Sequence, residues 1–121
     1  MTVNECLTRV IATPGCSADE EMLLTWLSDV EGILFEEVLS GREGAPERFD
    51  GYGDEDSDTV LFAKDPYSML YVYYVVAQSY LHVLDLDRYN TYLALYRDAF
   101  DEFAGYHARN HRQTGNVEVK L

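Results

Sequence analysis

The stretch Tyr67 to Leu84, YSMLYVYYVVAQSYLHVL, constrains the fold of this chain more than any other. It contains no Lys, Arg, Asp or Glu. Tyr67, Leu70, Tyr74, Ala77, Leu81 and Leu84 alternate at spacings of three and four, which is one face of a helix. Met69, Val72, Val76, Tyr80 and Val83 fill the opposite side. A helix that is apolar all round is either enclosed by protein or crosses a membrane. About 18 residues could just reach across a bilayer. Ser68, Gln78, Ser79 and His82 lie within the stretch, however, and acidic sequence surrounds it, so the central helix of a soluble protein is expected. In so small a domain, three neighbouring helices need not cover every face. The side bearing Met69, Tyr73, Val76 and Tyr80 is therefore expected to meet another subunit.

The remaining elements read as helices arranged around this one. Thr2 and Glu5 fit a capping box that opens a short helix, about Val3 to Ala12, which Pro14 and Gly15 end. Ser17 and Glu20 repeat the box before a helix from about Ala18 to Leu39. Its stripe is Leu23, Trp26, Leu27, Val30, Ile33, Leu34 and Val38, and Asp29, Glu31, Glu36 and Glu37 mark its wet face. Gly41 is its expected C′ residue. Asp65 and Pro66 suit the N-cap and first position of the central helix, Pro66 to Leu84. Asp87 is the expected N-cap of a last helix, Arg88 to His107, whose seam is Tyr89, Leu93, Tyr96, Phe100, Phe103 and His107. The expected fold is all-α, with one short and three long helices in a single domain over residues 1–111. A long loop spans residues 41–65 and an extended tail spans residues 112–121. Leu27, Val30, Ile33, Leu34, Leu70, Tyr74, Ala77, Leu81, Leu93, Tyr96, Phe100 and Phe103 are the expected core.

Charge is the second constraint. There are 22 acidic and 9 basic residues in 121, a formal net charge of −13. Such a surface keeps a protein soluble and disfavours nucleic acid and anionic lipid. No sequence-specific nucleic-acid partner and no membrane partner is expected. The loop carries the run Asp54, Glu55, Asp56, Ser57, Asp58 and makes few apolar contacts before Val60, so it should be the most mobile part of the domain. Val60, Leu61 and Phe62 are expected to dock on the helices. The tail has the opposite character. Arg109, Arg112 and Lys120 oppose only Glu118, and Val117, Val119 and Leu121 alternate as a strand that could add to a neighbour's edge. Cys6 and Cys16 do not make a disulfide framework. No basic segment followed by an apolar run opens the sequence, so no secretory signal is expected.

Few residues suggest chemistry. His107 and His111 stand four apart, but the glutamate of a zincin helix is missing and two histidines at a basic helix end also suit the dipole. The acidic run lacks the glycine and distal glutamate of an EF-hand loop. The ten tyrosines have almost no Arg or Lys interleaved, so packing explains them better than base stacking. No nucleophile elbow or phosphate cradle occurs. Neither catalytic residues, metal ligands nor a cofactor are expected.

Trp26-Leu27-Ser28, Glu36-Glu37-Val38, Asp65-Pro66-Tyr67, Tyr71-Val72-Tyr73, Ala77-Gln78 and Asp87-Arg88-Tyr89-Asn90, with Tyr96, Phe100, Phe103 and Tyr106, follow one another in a familiar order. From about Ala18 to His111 the chain resembles head–tail connector proteins, also called adaptor or head-completion proteins, of tailed bacteriophages and prophages. It departs from them at Leu81, Val83 and Leu84, which are more apolar, and over His107 to His111. The resemblance implies a non-enzymatic virion protein that joins a homo-oligomeric ring beneath the portal and touches portal or tail-completion proteins. From a prophage it would be made in the bacterial cytoplasm. The alternative is a small acidic inhibitor that mimics DNA and binds a basic host protein. For interaction, the candidate residues are Met69, Tyr73, Val76 and Tyr80, the acidic Asp54, Glu55, Asp56 and Asp58, and the tail's Arg109, Arg112, Val117, Val119 and Leu121.

Overall fold

A computed structural model describes residues 1–111. Four α-helices make up the described chain, which contains no β-strand: α1 (Val3–Ile11), α2 (Glu20–Leu34), α3 (Met69–His82) and α4 (Leu86–Asn110). The described chain is all-α. Among the described residues, no helix is long and apolar enough to cross a membrane.

The N-terminal capping box forms as the sequence requires: Glu5 N–H donates to Thr2 Oγ1 at 3.1 Å and Thr2 N–H to Glu5 Oε1 at 2.8 Å. For α2 the expected cap lies two residues early. Asp19, not Ser17, accepts from Met22 N–H at 2.9 Å, and the helix starts at Glu20. The helical path continues to Leu39, but its last turn, Phe35–Leu39, widens to π geometry, with Ser40 N–H donating to Phe35 C=O. Gly41 follows with φ +78°, the left-handed conformation expected at C′.

The central helix is shorter than its apolar run. The Asp65–Pro66 peptide is cis, residues 65–68 form turns and a bend, and Ser68 is the N-cap, its hydroxyl donating to Asp65. Asp65 therefore binds the cap instead of being it. At the other end Asp85, rather than Asp87, caps α4 by accepting from Arg88 N–H at 3.3 Å. At 25 residues α4 is about 37 Å long.

Helices α1, α2 and α4 all pack on α3. Between them they bury Leu70, Tyr71, Val72, Val75, Val76, Ala77, Ser79 and Tyr80. Three neighbours thus suffice to cover the middle of the helix. Val76 and Tyr80 lie in the core instead of on a free face, while Met69 and Tyr73 are half-buried. Rings interlock along α3 and α4: Tyr74 with Tyr96 at 5.0 Å, Tyr80 with Tyr92 at 5.6 Å and Tyr67 with Tyr106 at 4.9 Å between centroids. Because α4 has solvent along its other side, Leu93, Tyr96 and Phe100 are only half-buried, and Phe103 and His107 are its two buried residues. Ile33 and Tyr74 are also half-buried. Leu81, expected in the core, is exposed.

The long loop is docked well before Val60, contrary to expectation. Ala45, Phe49, Tyr52 and Phe62 pack against the core, with Phe49 edge-on to both Tyr52 (4.9 Å) and Phe62 (5.6 Å). Leu61 and Ala63 are completely buried, whereas Val60 is exposed and only bridges Thr2 through the backbone. The acidic run forms a 3-10 turn, Asp54–Asp56, and lies against the start of α1: Ser57 C=O accepts from Asn4 N–H and Thr59 C=O from Val3 N–H. Those carbonyls satisfy donors that every helix start leaves open, and the nearby carboxylates favour that end of the dipole.

Candidate functional site

Three features have the chemistry to interest a functional reading: a buried carboxylate, an aromatic pocket and an exposed apolar corner.

Glu31 was expected on the wet face of α2 and is instead fully buried. Its Oε1 accepts from Tyr71 Oη at 2.6 Å, and its Oε2 from Tyr52 Oη at 2.8 Å and Phe62 N–H at 2.9 Å. Tyr71 Oη in turn accepts from Ala63 N–H at 2.7 Å. Burial pushes the Glu31 carboxyl above the usual carboxylate range, and the bonds from Tyr71, Phe62 and Tyr52 pull it partly back. Burial and the adjacent carboxylate push both tyrosine hydroxyls upward. Every polar atom of the group is occupied by the loop or by α3. The cluster therefore works as a latch that ties the segment from Tyr52 to Ala63 onto α2 and α3.

The pocket lies where the C-terminal end of α4 meets the loop. It encloses about 480 Å³ and is lined by apolar and aromatic side chains, Leu39, Phe62, Tyr67, Phe103 and Tyr106 among them, with Lys64, Glu43 and Asp65 also on its walls. The volume falls in the range of about 300–1,000 Å³ common for ligand pockets. His107 and His111 line it too, their rings stacked at 4.0 Å and 9°. His107 Nε2 and His111 Nδ1 are buried with no partner among the described residues. Burial, then His111 and Arg42, hold the His107 imidazole below its ordinary range. Arg42 fixes this end of the helix by donating from Nη1 to His111 C=O at 3.1 Å. The structure brings the two histidines together. Among the described residues, no three His, Cys, Asp or Glu side chains gather to hold a metal ion, the acidic run included.

The corner joins α3 to α4. Leu81, Val83, Leu84 and Leu86 are all exposed there, Leu84 at 78%. Sequence reading placed the excess of apolar surface on the middle of the helix; the structure places it at the C-terminal end.

Of the remaining predicted interaction residues, Asp54, Glu55, Asp58 and Arg109 are exposed and Asp56 is half-buried, its Oδ2 accepting from Gly53 N–H at 2.7 Å. Arg112, Val117, Val119 and Leu121 lie outside the described residues. The described part has no sheet edge to receive a tail strand, since the Thr2–Val60 bridge stands alone. Cys6 is buried and Cys16 half-buried, and both are free thiols. Burial pushes the Cys6 thiol up to about 12. No family model, curated protein or solved structure matches the chain.

Proposed function

We propose that this chain is a structural assembly protein, one copy of a homo-oligomeric ring in the head–tail junction of a tailed phage, with no catalytic role. The observation that carries the reading is the exposed corner Leu81–Leu86. Of the exposed large apolar side chains among the described residues, four gather in this one turn, whereas Ile11, Val60, Leu95 and Tyr106 fall elsewhere along the chain. Contiguous apolar exposure of this kind marks interaction sites. The polar cluster at Glu31 is consumed by the fold, which leaves contact surfaces as the features with function. The acidic exterior suits a channel wall past which DNA slides without adhering, by like-charge repulsion. The basic tail, with Arg109 at its root, contributes to holding the copy in place.

The test is genetic. Deleting the coding sequence from the phage should yield DNA-filled heads that leak or fail to join tails, and deleting only Arg112 to Leu121 should give a milder form of the same defect. Normal yields of complete particles without the gene would overturn the reading and favour an acidic inhibitor of a host protein.

A further inference from the structure

The end of α4 is closed by two imidazoles. His107 and His111 stand one turn apart, their ring centroids separated by 4.0 Å and their planes within 9° of parallel. His111 N–H donates to His107 C=O at 2.9 Å, so a backbone bond and a ring contact close the same turn. We propose that this pair is an acid-sensitive clasp. With both rings neutral it holds the last turn of α4 against the π turn and the loop; on acidification the turn opens, and with it the wall of the pocket and the point at which the tail begins. The device is independent of the ring reading and stands equally for a monomer.

The clasp has no provision for added protons. His107 is 8% exposed, and its Nε2, like Nδ1 of His111, is out of contact with solvent and without a hydrogen-bond partner among the described residues. An imidazolium carries two N–H donors and a charge, all of which need a partner or water. The surroundings favour neither. From the loop, Arg42, Glu43, Lys64 and Asp65 face the pair; Tyr67, before α3, and Tyr106, on α4, are the neighbouring hydroxyls. The two cations offset the two carboxylates. Among the described residues no carboxylate lies within ion-pair distance of either ring, and Asp65 already accepts the Ser68 hydroxyl. The π turn contributes apolar Leu39 to the same wall.

Arg42 holds the closed form together. Its Nη1 donates to His111 C=O and its Nε to Val38 C=O, each at 3.1 Å, which ties the end of α4 to the π turn. Protonating both rings would set like charges about 4 Å apart and beside this guanidinium. The helix dipole favours cations at this end, but Arg42 already meets it at the terminal carbonyl. Burial and these neighbours hold the His107 imidazole below its ordinary range. The closed turn therefore binds fewer protons than the open one, so its stability is present above the ordinary histidine range and is lost as pH falls. Opening of one terminal turn is the kind of local transition that leaves the remaining helices folded.

Amide exchange measured by NMR reads the opening, as protection factors corrected for the intrinsic effect of pH on exchange. An imidazole with an ordinary value near 6.5 that takes its proton only in the open turn raises the open population by about tenfold between pH 7.5 and 5.5. Protection at Arg109, Asn110 and His111 should therefore fall by about three- to tenfold over that interval. In His107→Phe/His111→Phe, which keeps two rings and has no proton to bind, the fall should disappear. His111→Phe alone, at the half-buried C-cap, leaves the core untouched and should lessen the fall if the double variant does not fold. Continued protection of Val75 in α3 shows that each variant is folded. Unchanged protection of the last turn in wild type, or a fall of the same size in wild type and the folded variants, would overturn the clasp.

Discussion

Removing the charge at Glu31 should loosen the loop before it affects the helices. In Glu31→Gln, one carboxylate oxygen becomes an NH₂ group. If the amide nitrogen takes the Oε2 place it confronts Tyr52 Oη–H and Phe62 N–H. If it takes the Oε1 place it confronts Tyr71 Oη–H, whose oxygen already accepts from Ala63. Either orientation leaves at least one donor aimed at another. An unsatisfied buried donor costs about 1–3 kcal/mol. Glu31→Ala abandons Phe62 N–H and Tyr71 Oη–H together, while half-buried Tyr52 can turn to water, so its cost should be about 2–6 kcal/mol. Against a total stability of about 5–15 kcal/mol, the second variant approaches the limit of folding. Urea unfolding followed by circular dichroism measures both. With m of about 1–3 kcal/mol/M, a loss of 2 kcal/mol lowers the midpoint by about 1 M. Amide exchange locates the effect: Phe62 should exchange faster in Glu31→Gln, while Val75 in the centre of α3 keeps its protection. A Glu31→Gln variant within about 0.5 kcal/mol of wild type, with Phe62 still protected, would refute the latch.

Three further outcomes follow from the same geometry. The His107 imidazole is held below its ordinary value, so the folded state binds fewer protons than the unfolded chain as pH falls below about 6.5. The stability this residue contributes is present above that pH and lost on acidification. Glu31, shifted upward, works in the opposite sense, so the readout is the difference between variants: wild type should lose more stability from pH 7.5 to 5.5 than His107→Phe does, and equal losses would contradict the assignment. Phe103→Ala should cost about 3–5 kcal/mol because Phe103 is buried, and Phe100→Ala distinctly less because Phe100 is half-exposed, as measured by urea unfolding. Alkylation under native conditions should label Cys16 and spare Cys6, whose thiol is buried and shifted upward; equal labelling by mass spectrometry would show that α1 is not packed as described.

The helices were legible because their apolar positions repeat and their ends carry capping residues, as at Thr2, Glu5 and Gly41. Errors arose where a polar side chain had a distant partner. Leu24, Leu27, Glu31, Leu34 and Val38 keep a three–four rhythm, so the pattern itself put Glu31 on the buried face. Its charge alone suggested solvent, and the three donors that allow its burial lie 21 to 40 residues away. The error at Asp65 is local instead: the helix starts three residues later than the Asp-Pro pair suggests, Ser68 is the cap, and Asp65 accepts the cap's hydroxyl. The apolar corner was legible as an excess of hydrophobicity but was assigned to the wrong part of α3. Periodicity gives the number of faces, and only the packing of α1, α2 and α4 shows which of them are covered. The pocket had no sequence signal beyond the pair His107 and His111, because its walls come from Leu39, the loop and α4 together.

Native mass spectrometry of the full chain, transferred from concentrated volatile salt, tests self-association most directly. The account predicts one dominant closed assembly whose mass is a whole multiple of 13.9 kDa and which disappears in Leu84→Gly. A single species of 13.9 kDa at every protein and salt concentration would contradict it.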